Sequence, residues 1–267
     1  MEDPLTAGFA SRARIDDDEE ADAEETAAET AALPVWVYRT PGAVSRARTL
    51  LVGVGPLGCA LLHFSASAKA PWGSAVLPEV SMRGNAASPG PLDRSCWLAH
   101  APELDLVACA VGYDAAQERC GALAKALHSA VAFDRCVVLA EMPAGAFRGP
   151  HHVTKEDDAV YVLDTDARRA RDGAAEKRAV APPPLPPGNV ASGVGAAVAA
   201  MCQARGQDAR LLLGVRRLPI PDSAAAEAAA RWLDREVPGL GAAEGARQAG
   251  ELLESELGRT SHAALFT

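Results

Sequence analysis

Gly53, Gly55 and Gly58 stand in the run LLVGVGPLGCALLHF (residues 50–64) at the G-x-G-x-x-G spacing. That spacing lets a strand turn tightly into a helix and brings the backbone against a pyrophosphate, which the helix N-terminus binds. Glu79 follows about 20 residues on, where a dinucleotide-binding fold places the acid that holds a ribose hydroxyl. The chemistry would be hydride transfer by an NAD(P)-dependent oxidoreductase of Rossmann type, with Gly53, Gly55, Gly58 and Glu79 holding the cofactor. Pro78, directly before Glu79, suits a central strand poorly. No Lys, Tyr or His further on completes a substrate-handling group. The glycines equally fit a tight strand-to-helix turn packed on a sheet. The expectation is that they serve geometry, that no cofactor is bound and that no residue is catalytic.

Other reactive residue types are scattered. Cys59 lies near the expected helix N-terminus, where a thiolate is favoured, and would be a nucleophile only if a histidine approached it. His151 and His152 are adjacent, with no Cys or acid completing a zinc spacing, so no metal site is expected. No G-x-S-x-G, Walker A or H-E-x-x-H motif occurs. APPPLPPG (residues 181–188) reads as a stiff linker. The sequence ends Leu265-Phe266-Thr267, an aliphatic and an aromatic side chain beside a carboxylate. Such an end can fill a pocket and pair with a lysine.

Strands and helices alternate along the chain. PVWVYR (34–39) reads as an entry strand and RTLLVGV (48–54) as a buried strand. Pro56 suits the first turn of a helix running to about Ser67. Residues 68–93, with four prolines and three glycines, read as a loop. SCWLAH and LDLVACAVGY read as strands. DAAQERCGALAKALHSA (114–130) reads as a helix opened by Asp114 with Gln117 three residues on, followed by the strand FDRCVVLAE. Residues 143–188 are charged and proline-rich with one short strand at AVYVL, which predicts a mobile surface insertion. After Asn189 comes a helix stopped by Gly206, then the strand ARLLLGVRR. Asp222 or Ser223 caps a helix through AAAEAAARWLDREV, and a last helix ends at Gly258. This order predicts a single α/β domain, residues 34–258, with a mainly parallel sheet flanked by helices. Residues 259–267 are expected to be a flexible tail.

The net charge is -9, and DDDEEADAEE (16–25) carries eight acids in ten residues. Without that run the chain is nearly neutral and shows no basic footprint for nucleic acid. Residues 1–33 are expected to be a disordered acidic tail. The six cysteines include no C-x-x-C pair and mostly lie in apolar runs, as expected of buried thiols in a reducing compartment. With no signal peptide and no membrane-length apolar stretch, the sequence suggests a cytosolic or nuclear protein.

The order of features resembles the proteasome assembly chaperone 1 family. The likeness rests on the acidic N-terminal run and on TLLVGVG running into a helix. It rests more specifically on LPPGNVASGVGAAVAAMCQARGQDARLLLGV (185–215), on LPIPDSAAAEAAARWL (218–233) and on the end ALFT. Gly188 stands where the family prefers proline, and Phe266 where it has tyrosine. The resemblance implies a non-enzymatic role. The chain would pair with a second, related chaperone subunit, and the heterodimer would bind proteasome α-subunits and promote α-ring formation in assembly of the 20S core. Leu265, Phe266 and Thr267 would enter a pocket between α-subunits.

Overall fold

The computed structural model describes residues 33–67, 69–83, 85–86, 89–149, 160–174, 182–216 and 223–264. Among these, eight strands form one sheet: β1 (Trp36–Arg39), β2 (Arg46–Val54), β3 (Ala70–Val76), β4 (Cys96–Ala101), β5 (Leu106–Val111), β6 (Ala132–Pro143), β7 (Val160–Asp164) and β8 (Asp208–Arg216). Six α-helices pack on it: α1 (Gly55–Phe64), α2 (Gln117–Ala130), α3 (Asp166–Ala174), α4 (Gly193–Ala204), α5 (Ser223–Glu236) and α6 (Ala242–Ala264). The strand order is β1-β3-β4-β5-β2-β6-β8-β7.

The centre of the sheet is parallel. β5, β2, β6 and β8 pair in one direction, while the flanking pairs at both ends are antiparallel. Unbroken apolar runs explain the centre, because a strand covered on both faces needs no polar side. All six residues of β5 are buried. Along β2, Leu50 and Val52 join the core beneath α2 and α4, and Leu51 joins the core beneath α1, α5 and α6. The α/β domain expected from the alternating pattern, a sheet flanked by helices, is therefore present.

Four elements differ from the sequence reading. The loop expected over 68–93 contains β3. Its register with β4 shifts between Pro71 and Gly73, a bulge that erased the strand pattern. Pro71 lies past the last β1 pair, Arg39 with Gly73, so its missing N–H breaks no ladder on that side. A Cβ on Gly73 would lie 2.1 Å from the Tyr38 carbonyl oxygen, so only glycine lets β1 approach. The second helix begins at Gln117 and has no side-chain cap; Asp114 does not cap it. The Gln117 side chain instead accepts the Gly193 N–H at the start of α4, at 3.4 Å.

Within the expected insertion, β7 is the short strand expected at AVYVL, and residues 166–174 form α3, a helix the sequence reading did not expect. The sequence DARRARDGA looks solvated, but Arg168 is only 1% exposed. It bonds Asp172 at 3.0 Å and Glu236 of α5 at 2.8 Å. Arg210 of β8 bonds Asp164, Asp172 and the same Glu236. α3 is thus held by a buried charge network rather than by an apolar stripe. Finally, α6 does not stop at Gly258 but runs to Ala264. A glycine ends a helix by turning left-handed, and Gly258 keeps helical backbone.

Candidate functional site

The glycine turn sits at the carboxyl end of β2, where α/β proteins bind ligands. Val54, the N-cap residue of α1, offers no side-chain bond to the helix. Gly53 and Gly58 touch each other: a Cβ on Gly53 would lie 2.6 Å from the Gly58 carbonyl oxygen, and one on Gly58 would lie 2.7 Å from the Gly53 carbonyl carbon. Gly55 has φ +77°, a conformation that other residues rarely adopt. Each glycine therefore has a purely geometric reason to be there.

The anion position at the head of α1 is filled by the chain itself. Glu141, near the end of β6, faces the first turn of α1, where the Leu57 N–H favours its carboxylate form. Its Oε2 lies 3.1 Å from where a Gly55 Cβ would stand. Arg216 of β8 approaches the carboxylate to 4.0 Å, and the Glu141 side chain is 9% exposed. Burial pushes its carboxyl up to about 7 against the opposing pull of Arg216 and Leu57. The head of α1, where a pyrophosphate would lie, thus faces a protein carboxyl.

Glu79 is not at this site. It follows β3, which β4 and β5 separate from β2, whereas a ribose-binding acid ends the strand beside the glycine turn. Glu79 pairs with Arg119 of α2 through two bonds, at 2.5 and 3.3 Å. The structure brings Gly53, Gly55 and Gly58 together and leaves Glu79 engaged elsewhere, so the dinucleotide arrangement is not assembled. Cys59 lies beyond the first turn of α1, and burial pushes its thiol up to about 12. It is no thiolate nucleophile.

No protein-family model matches the chain, and neither does any curated protein sequence. Solved structures do match. PbaA from Pyrococcus furiosus, an archaeal homolog of proteasome-assembly chaperone, aligns with 87% of this chain and 93% of its own at 15% identity and a TM-score of 0.60. PbaB from the same organism, an archaeal proteasome activator, aligns over 85% and 99% at 12% identity and a TM-score of 0.57. A Thermoplasma acidophilum protein with unknown function aligns over 91% and 96% at 12% identity and a TM-score of 0.55.

The chain has their fold. At these identities the likeness establishes architecture, and the site must be argued from this chain's residues. Leu265, Phe266 and Thr267 lie outside the described residues, as do His151 and His152. What precedes the end is well defined at its origin: Asp234 of α5 accepts the Ala242 and Ala243 N–H groups, each at 2.8 Å, and so caps α6. The spacer expected to be flexible is helical to Ala264. Glu141 was missed in the sequence. Its one signal was an acid interrupting the buried strand run CVVLAEMP. Among the described residues, no helix is long and apolar enough to cross a membrane, and no cluster of three or more metal-ligating side chains occurs.

Proposed function

We propose that this chain is an assembly chaperone for the 20S proteasome core. It acts without catalysis, as a heterodimer with a second, related chaperone subunit, and binds proteasome α-subunits to promote α-ring formation in the cytoplasm or nucleus. The observation that carries this reading is the fold shared with PbaA over 87% of the chain. The sequence likeness at residues 185–233 and at the end ALFT supports it. The head of α1, sealed by Glu141, favours a binding role over a cofactor enzyme.

In this account α6 extends Leu265, Phe266 and Thr267 towards a pocket between α-subunits. Enclosing Phe266 contributes about 1.5–3 kcal/mol, with a smaller part from Leu265. Ordering the end subtracts from that sum. The test is capture of purified α-subunits by the heterodimer carrying each variant. Deleting residues 265–267 is expected to weaken capture by roughly tenfold to a thousandfold. Phe266→Ala should reproduce most of the loss, and Phe266→Tyr should bind at least as well as the natural residue. Pairing with the partner chaperone should survive all three changes. Unchanged capture by the deletion variant would remove the docking role from the end of the chain.

A further inference from the structure

β1 (Trp36–Arg39) is an edge strand of the sheet, with β3 beside it on one side. That pairing fixes where its backbone groups point. The Thr40 N–H donates to the Trp72 carbonyl at 2.9 Å, and the Tyr38 carbonyl is directed at β3 beside Gly73. Backbone groups alternate along a paired strand, so the N–H and C=O of Val37 and Arg39 point away from the sheet. Among the described residues no strand meets them. WVYR holds no lysine and no proline, and its register with β3 has no bulge, so the usual defences of an edge are missing. The Arg39 guanidinium turns back to the Ala130 carbonyl and lies 5.3 Å from the centre of the Trp72 ring.

The side chains agree. Val37 packs on the core beneath α2 and α4, so Trp36 and Tyr38 stand on the opposite face of the strand. They are 46% and 58% exposed, and these are the residue types that carry binding energy at interfaces. The far edge of the sheet differs. There the Val162 N–H donates to the Pro183 carbonyl at 2.9 Å, and the Leu185 N–H donates to the Val162 carbonyl at 3.0 Å. Residues 183–185 thus cover β7, and Pro183 and Pro184 have no N–H to offer a further strand.

We propose that β1 pairs antiparallel with β1 of a second copy of this chain, about a twofold axis at Tyr38. Self-complementarity selects this occupant. With Tyr38 opposite its own counterpart, Val37 of each copy stands opposite Arg39 of the other, and each such pair exchanges two N–H···O=C bonds. Every outward backbone group of Val37 and Arg39 is then satisfied. The two Tyr38 side chains form a non-hydrogen-bonded pair, where side chains are closest. Each Trp36 reaches the other copy's Tyr38 on the diagonal. Because β7 is covered, the contact closes on two copies and does not propagate. The exposed aromatic surface amounts to about 200 Å² per copy, against about 800 Å² per partner in a standard stable interface. The dimer is therefore weak, with a micromolar dissociation constant. It joins two copies of this chain and does not rest on the proposed pairing with a second chaperone.

The experiment is sedimentation equilibrium of the purified full chain from about 1 to about 300 µM, a range that spans a weak association, with amide hydrogen exchange at both ends of the range. The average mass is expected to rise from that of one chain towards that of two, with slowed exchange at the Val37 and Arg39 amides. Tyr38→Lys sets like charges opposite each other across the axis and should weaken association by about tenfold or more. Its unfolding midpoint should stay near that of the natural chain, because Tyr38 is exposed. Trp36→Ala, which adds no charge, should weaken association by about threefold or more. A single-chain mass throughout the range would overturn the proposal. So would a dimer that Tyr38→Lys leaves intact, since another surface would then hold it. If the chain alone stays monomeric and Tyr38→Lys abolishes capture of a second chaperone, the edge belongs to that partner and the proposal is likewise overturned.

Discussion

Burial disfavours the charge on Glu141, while the Leu57 N–H and Arg216 favour it, and burial wins, leaving the group at about 7 in the folded chain. The folded value is above the ordinary 4.5. Between those values the folded chain holds a proton that the unfolded chain has released, so stability falls as pH rises through this window. The full effect is at most about 3 kcal/mol, reached above the folded value. Urea unfolding at pH values below and above the window should show this fall. Glu141→Gln, whose amide does not titrate, should lose that dependence and match or exceed the natural chain at the higher pH. A parallel fall in both proteins would remove Glu141 as its source. At the same scale, Gly58→Ala should destabilise by about 1–3 kcal/mol, because its methyl would meet the Gly53 backbone at 2.7 Å. The glycines were legible as a turn because turn geometry is local. Their lack of a ribose acid was not, because only the sheet order reveals that Glu79 follows a distant strand.

Elements were legible where burial wrote itself as apolar runs and illegible where something else holds them. β2, β5, β6 and β8 could be read directly. β3 hid behind Pro71 and Gly73, whose roles come from neighbouring strands. α3 hid because its burial is electrostatic. Its Arg168, together with Arg210, converges on Glu236, which is 5% exposed. Removing one partner of such a network leaves buried charge uncompensated, which typically costs about 3–5 kcal/mol. Glu236→Ala should therefore lower the unfolding free energy by that amount in a urea titration, whereas exposed Glu251→Ala, on the Arg247 pair of α6, should change it by about 1 kcal/mol or less. Equal effects would mean that the network does not anchor α3 and α5. The continuation of α6 past Gly258 was also hidden, because composition alone does not say whether a glycine turns left-handed.

At the scale of the molecule, an α/β domain whose opening turn looks nucleotide-binding has closed that position with its own carboxyl. Its architecture is that of PbaA and PbaB. The central claim is recruitment to proteasome α-subunits together with a second chaperone. The most direct measurement is affinity capture of the full-length tagged chain from its own cells, followed by mass spectrometry. The account predicts α-subunits together with one smaller α/β protein, recovered in comparable amount to the bait. Recovery of that partner without α-subunits, or of neither, would contradict it.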